Sequence, residues 1–315
     1  MIHNEVRAVV NDVRIRQMRG GTVVTRAALR AMRSVALESS VKSAHDFMKE
    51  LEENSRHLAT LRTASVPLAN ALRQVHTEVE QRTGSSVDIE QLKQAVVKAT
   101  ESFERRLDES IETIAEIGAR RLKEGDVILT HSYSSSVIAI LKRAREQGTG
   151  LRVFVTETRP ELEGRDVARE LATHGIKTTL IIDSAVSHFV KDTDKVLVGA
   201  EAVAANGAIV NKIGTATIAA VAHEARVRVF VAASTYKFSP ETMFGELIEI
   251  EERAPSYVLD DPEMAKLSSF AVRNPAFDVT SPEDIDLIIT ERGVIPPQAA
   301  IMVVRETKGL QSLSL

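Results

Sequence analysis

The 315-residue sequence contains neither cysteine nor tryptophan. A chain without cysteine holds no disulfide framework, no thiolate zinc site and no iron–sulfur cluster, and it performs no thiol catalysis. Its eight histidines (3, 45, 57, 76, 131, 174, 188 and 223) never stand four apart, so no local metal pair forms on one helix face. Neither a Gly-x-x-x-x-Gly-Lys-Ser/Thr phosphate loop nor a Gly-x-Gly-x-x-Gly dinucleotide loop occurs. No metal and no cofactor are expected. An excess of basic charge is also missing: 40 Lys+Arg face 44 Asp+Glu, a net charge of -4, which gives no basis for direct nucleic-acid binding. No apolar run approaches 18 residues, so no membrane span is expected. Residues 1–17 are charged throughout and do not read as a signal peptide, so the expected location is cytoplasmic. What remains, 43% hydrophobic and 27% charged residues, is the make-up of a folded globular chain.

Breakers are scarce in the first part. Residues 1–120 hold four glycines and one proline, against eleven and eight in the rest. The first part should therefore be helical. Apolar spacing predicts helices over 5–18, 26–38, 41–61, 67–81 and 89–123, the last preceded by a turn at Gly84-Ser85-Ser86. From residue 126 the period changes. Short unbroken apolar runs at 127–129, 153–155, 179–182, 196–198, 229–232 and 287–289 read as strands covered on both faces. Helix-like stretches at 137–147, 165–174, 186–191 and 216–225 separate most of them. This alternation predicts an α/β chain: a helical N-terminal domain over 1–122, then a Rossmann-like, doubly wound, mostly parallel sheet over 123–315.

In such a sheet ligands sit beyond the carboxyl ends of the strands. The residues there include Ser132, Ser134-Ser135-Ser136, Asp183, Glu201 and Lys237, a set suited to a polyhydroxylated anion. Each has a plain reading beside the functional one. Ser134–Ser136 serve as a helix N-cap or as a phosphate cradle. Arg19-Gly20-Gly21 is a helix stop or an anion nest. The seven arginines of residues 1–33, against Glu5 and Asp12, attract phosphate or line solvated helix faces. Asn206-Gly207 reads as a hairpin turn. Lys212, ahead of a helix predicted near Thr215, has the wrong sign for the helix dipole and is better placed to meet an anion. Asp183 and Glu201 are acid–base residues or polar-rim partners.

Several longer motifs then enter in order: Thr130-His131-Ser132-Tyr133-Ser134, Thr156-Glu157-Thr158-Arg159-Pro160, Gly199-Ala200-Glu201, Asn211-Lys212-Ile213-Gly214 and Asn274-Pro275-Ala276-Phe277-Asp278-Val279-Thr280. Together they resemble the translation initiation factor 2B α/β/δ family, which includes ribose-1,5-bisphosphate and 5-methylthioribose-1-phosphate isomerases. The resemblance implies phosphate contacts from Arg19, Gly20, Gly21, Thr22, Arg62, Ser134, Ser135 and Ser136. It places Asn211, Lys212 and Lys237 along a sugar-phosphate or nucleotide site, with Asp183 and Glu201 accepting from sugar hydroxyls. It also implies self-association as a dimer or hexamer, and initiation factor 2 as a partner. In the family's isomerases a Cys and an Asp occupy the positions of Ser132 and Glu201. The α branch of the factor carries Tyr and Glu where this chain has Tyr133 and Glu201. The expectation is therefore an archaeal-type, initiation-factor-2B-like regulatory protein of the α type, retaining the pocket without efficient isomerase activity. The alternative is an aldose–ketose isomerase making ribulose 1,5-bisphosphate from ribose 1,5-bisphosphate, with Glu201 and Ser132 as its altered catalytic pair.

Overall fold

The computed structural model describes residues 2–14, 20–61, 65–81, 88–261, 264, 266 and 269–307. Arg19, Arg62 and the predicted turn at 84–86 lie outside them. The chain divides into two compact units, Met1–Ser110 and Ile111–Leu315.

The first unit is built from α1 (Asn4–Arg14), α2 (Gly21–Glu38), α3 (Ala44–Ala59), α4 (Val66–Glu80) and the leading part of α5 (Ile89–Ala119). In α2 the buried Val24, Ala28, Leu29, Met32, Val35 and Ala36 recur at three or four residues and make one apolar face. This helix begins five residues ahead of its predicted start, because Gly20 at φ 82 makes the entry turn that a side chain would resist. Part of the arginine excess is accounted for here. Arg26 pairs with Asp108, Arg30 with Glu104, and Arg33 with Glu101 and Glu104, all on α5. Those three cations are spent within the unit.

The second unit is a sheet with helices on both faces. Its strands are β1 (Val127–Thr130), β2 (Arg152–Thr156), β3 (Lys177–Ile181), β4 (Lys195–Gly199), β7 (Arg228–Ala232), β9 (Leu287–Thr290) and β10 (Gly293–Ile295). They lie in the order β10-β9-β7-β4-β1-β2-β3. All neighbours pair in parallel except β9 with β10. Alternation along the strands separates two cores. Leu129, Val196, Val198, Val229, Val231 and Ile288 face α8 (Val186–Phe189), α9 (Thr215–Glu224) and α10 (Ala300–Thr307). Ile128, Leu197, Phe230 and Ile289 face α6 (Ser135–Glu146) and α7 (Glu163–Thr173). The fold class is the predicted one.

Two strand expectations need correction. β3 is not covered on both faces; it is the edge strand, with Leu180 44% exposed, so only part of its apolar run is buried. A second sheet was missed: β5 (Ala202–Val203), β6 (Ile209–Lys212) and β8 (Phe277–Thr280), antiparallel in the order β5-β6-β8. Asn206-Gly207 does make the hairpin turn between β5 and β6, with Gly207 at φ 88.

Candidate functional site at the topological switch point

The chain leaves β1 towards β2 on one side, while β4 pairs on the other. The carboxyl ends of β1 and β4 thus border the crevice where an open α/β sheet holds ligands. Gly199 closes β4 directly against the β1–α6 loop, and a Cβ there would lie 2.5 Å from Ser134 Oγ. The glycine permits an approach that brings Ala200 and Glu201 beside the serine loop.

Ser134 caps α6, its Oγ accepting from Val137 N–H at 3.4 Å. The plain N-cap reading therefore holds for Ser134. Ser135 and Ser136 open the helix, whose first N–H groups lie outside its own hydrogen-bond ladder. Glu201 is 8% exposed. Near it the buried Lys237 ammonium donates to the Ala200 carbonyl at 2.6 Å. Burial pushes the Lys237 pKa down, and the neighbouring Glu201 carboxylate opposes that shift.

Ser132 lies at the end of β1 with φ 63, a left-handed conformation that a non-glycine residue adopts only where its surroundings hold it. Its N–H donates to Thr158 Oγ1 at 3.0 Å, and its hydroxyl donates to Glu163 Oε2 at 2.6 Å. Because that proton is committed to Glu163, the remaining polarity of Ser132 Oγ is that of an acceptor. Lys212, at the end of β6, reaches Glu161 at 2.6 Å and Glu163 at 3.3 Å. Arg253 pairs with Glu161 in turn. Two buried cations thus face two carboxylates with little side-chain exposure. Burial pushes the Glu163 carboxyl up, but Lys212, the Ser132 hydroxyl and Arg253 outweigh it and hold it below the usual range. Lys212, expected to meet an anion, meets protein carboxylates.

His131 ties the rim together. Its Nε2 faces the Ile213 carbonyl at 2.9 Å and its Nδ1 faces Thr156 Oγ1 at 2.6 Å. A carbonyl only accepts, so Nε2 carries the proton and Nδ1 accepts from the threonine. Burial lowers the His131 pKa, against the Ile213 bond and the Asp183 charge. Asp183 spends one oxygen on Thr158 N–H (2.8 Å) and the other on Arg159 N–H (2.7 Å), fixing the loop after β2. Asn211 Nδ2 donates to Thr215 Oγ1 at 3.1 Å. Asp278, on β8, accepts from Gly214 and Ala216 N–H at the start of α9. Burial raises its pKa to about 6 despite those bonds.

The second unit therefore brings together Ser132, Ser134, Ser135, Ser136, Glu201 and Lys237 around the switch point, with Lys212 joined to Ser132 through Glu163. Gly20, Gly21 and Thr22 belong to the first unit, where Gly20 precedes α2 and the other two open it. Sequence reasoning missed Glu161, Glu163, Arg253 and Asp278. Asp278 was visible in its motif, whereas Arg253 stands in an irregular stretch with no periodic signal.

The family model described as the Initiation factor 2 subunit family matches residues 17–297. The chain belongs to this family. Ribose 1,5-bisphosphate isomerase of Pyrococcus furiosus is 45% identical over 310 residues, covering 98% of this chain and 96% of that protein. The protein of the same name from Thermococcus kodakarensis is 43% identical over 306 residues, 97% and 95% of the two chains. Among solved structures, the Pyrococcus horikoshii translation initiation factor eIF-2B superposes with a TM-score of 0.80 at 26% identity, covering 95% of this chain and all of that one. These relatives overturn the expectation of a regulatory protein without efficient isomerase activity. That expectation rested on three positions, Ser132, Tyr133 and Glu201. Likeness to isomerases extends over nearly the whole chain at an identity far above that of the factor structure. Among the described residues no helix is long and apolar enough to cross a membrane.

Proposed function

We propose that the protein is an aldose–ketose isomerase that converts ribose 1,5-bisphosphate to ribulose 1,5-bisphosphate. The near-full-length likeness to proteins named for that activity carries the reading, and the switch-point geometry is chemically suited to it. The reaction opens the sugar ring as O4 takes a proton. A base then removes the proton from C2, giving a C1–C2 enol. Protonation at C1 and loss of the O2 proton leave a ketone at C2. The conversion needs proton carriers and charge stabilisation, with no net redox change.

In this reading Glu201 is the carboxylate that moves protons along C1–C2, and Lys237 is the cation beside it. Ser132 accepts a hydrogen bond from a sugar hydroxyl, because its own proton is held by Glu163. The first turn of α6 takes one phosphate through Ser134, Ser135 and Ser136. Self-association accompanies this reading; Phe244 and Leu247, 69% and 94% exposed, are apolar side chains it would cover.

The test is a phosphorus NMR time course of ribose 1,5-bisphosphate with near-stoichiometric protein. New ribulose 1,5-bisphosphate resonances that disappear in Glu201→Ala are the expected result. Unchanged substrate resonances with folded protein would refute the assignment.

A further inference from the structure

The amino edge of the seven-stranded sheet lies at the opposite ends of the parallel strands from the switch-point rim. It holds a cleft of about 290 Å³ lined by Glu124, Gly125, Arg145, Gly150, Arg152 and Lys177. Arg152 and Lys177 are the first residues of β2 and β3 and are direct partners in the parallel register. Like charges directly opposite one another destabilise a strand pair. Arg145, in the last turn of α6, approaches the same place: a Cβ on Gly175 would lie 3.8 Å from its Nε and Nη2. None of these three cations makes an ion pair with a carboxylate among the described residues. The cleft's one carboxylate, Glu124, is occupied by the backbone, its Oε2 accepting from Gly150 N–H. Gly125 and Gly150 lock the two loops together through a 2.8 Å backbone bond, so the walls are fixed before any ligand arrives.

Three cations and one carboxylate leave the cleft with two positive charges, the complement of a phosphate monoester near neutral pH. We propose that this cleft binds a small phosphate monoester, its phosphate between Arg152, Lys177 and Arg145 and its organic part along the Gly150–Leu151 backbone. The bound anion relieves the repulsion between the two strand-leading cations, and the cleft exceeds what a bare phosphate would fill. This site is separate from the rim and does not depend on the isomerase reading.

Crystals of the full chain soaked in tungstate, a phosphate-shaped anion with strong X-ray scattering, should show it between Arg152 and Lys177. Calorimetric titration with glycerol 3-phosphate should resolve a binding event whose affinity falls at least tenfold in R152Q/K177Q, while R145Q weakens it less. Dimethyl phosphate, a monoanionic diester, should bind at least tenfold more weakly than the monoester. Thermal melting of the variants should match or exceed that of the unsubstituted protein, because neutralisation removes a like-charge pair. An empty cleft in the soaked crystals would overturn the proposal. So would equal monoester affinity in R152Q/K177Q, or equal affinity for the diester and for sulfate at matched ionic strength.

Discussion

Lys212→Met tests the buried charge network, because the same structure dictates both the size and the pH course of the effect. Lys212 is 8% exposed and touches Glu161, 3% exposed, and Glu163, 12% exposed. At an effective dielectric of about 20, contacts at 2.6 and 3.3 Å represent about 6 and about 5 kcal/mol of gross attraction. Desolvation of the buried ions takes back much of that, and removal of one partner from such a network leaves a net loss of about 3–5 kcal/mol. Arg253 still neutralises Glu161 in the variant, so the orphaned charge is Glu163. With Lys212 gone, burial, already the largest single influence on Glu163, outweighs what the Ser132 hydroxyl and Arg253 still contribute, and its pKa is expected to move from below the usual range to above it. In the unsubstituted protein the lowered pKa contributes stability that is present above the unfolded value of about 4.3 and lost as pH falls through the folded value. In Lys212→Met the raised pKa has the opposite sign, so stability falls as pH rises from about 4.3. The gap between the two proteins should therefore widen as pH rises above about 4.3 and level off once Glu163 is ionised in the folded variant. Urea unfolding followed by circular dichroism reads it. Lys212→Met with Glu163→Gln should recover at least half of the loss at pH 7.5. A gap independent of pH, or a double variant no better than the single one, would refute the reasoning.

Glu201→Gln removes the proposed proton carrier while keeping its shape, and kcat should fall about 10²–10⁴-fold with unchanged thermal melting; a loss under tenfold would dismiss Glu201 as the acid–base group. Gly164→Ala should destabilise by about 3 kcal/mol or more, since its Cβ would lie 1.7 Å from the Thr156 carbonyl oxygen; a melting temperature equal to that of the parent would contradict this. Asp278, with its pKa raised to about 6, subtracts stability as it ionises between about pH 4 and 6. Allowing for its partial exposure, the amount is about 2 kcal/mol. Asp278→Asn keeps an acceptor for the Gly214 N–H and should flatten that part of the stability profile in a urea series; an unaltered slope would exclude this carboxyl as its source.

The sequence shows most clearly what the interior of the sheet demands. Runs such as Val229–Ala232 are apolar throughout because both faces of a central strand are covered, and such runs were readable without knowing their neighbours. β6 and β8 were hidden because their pairing joins Ile209 to Thr280, a partner that no local pattern indicates. The same distinction runs through the site. Ser134, Glu201 and Lys237 could be placed because they follow strands directly. Glu163 reads in sequence as an acidic first-turn residue of a helix; its bond to Ser132 and its pairing with Lys212 exist only after three separated segments meet. The functional expectation erred by weighting residues 132, 133 and 201 above the rest of the chain.

The strand order also sets a schedule for synthesis. β1 emerges first and ends near the middle of the sheet; β2 and β3 extend it one way, and β4, β7, β9 and β10 then extend it the other way. Each new strand finds an edge already formed by an earlier one. Of the last strands to emerge, β8 covers the open edge of β6 and β9 that of β7. A ribosome stalled before residue 277 therefore presents two uncapped, apolar sheet edges, one of them beside the Asn211 and Lys212 end of the rim, and both are templates for pairing with another chain. Chains released early should be lost to aggregation rather than persist as a soluble protein with half a binding site.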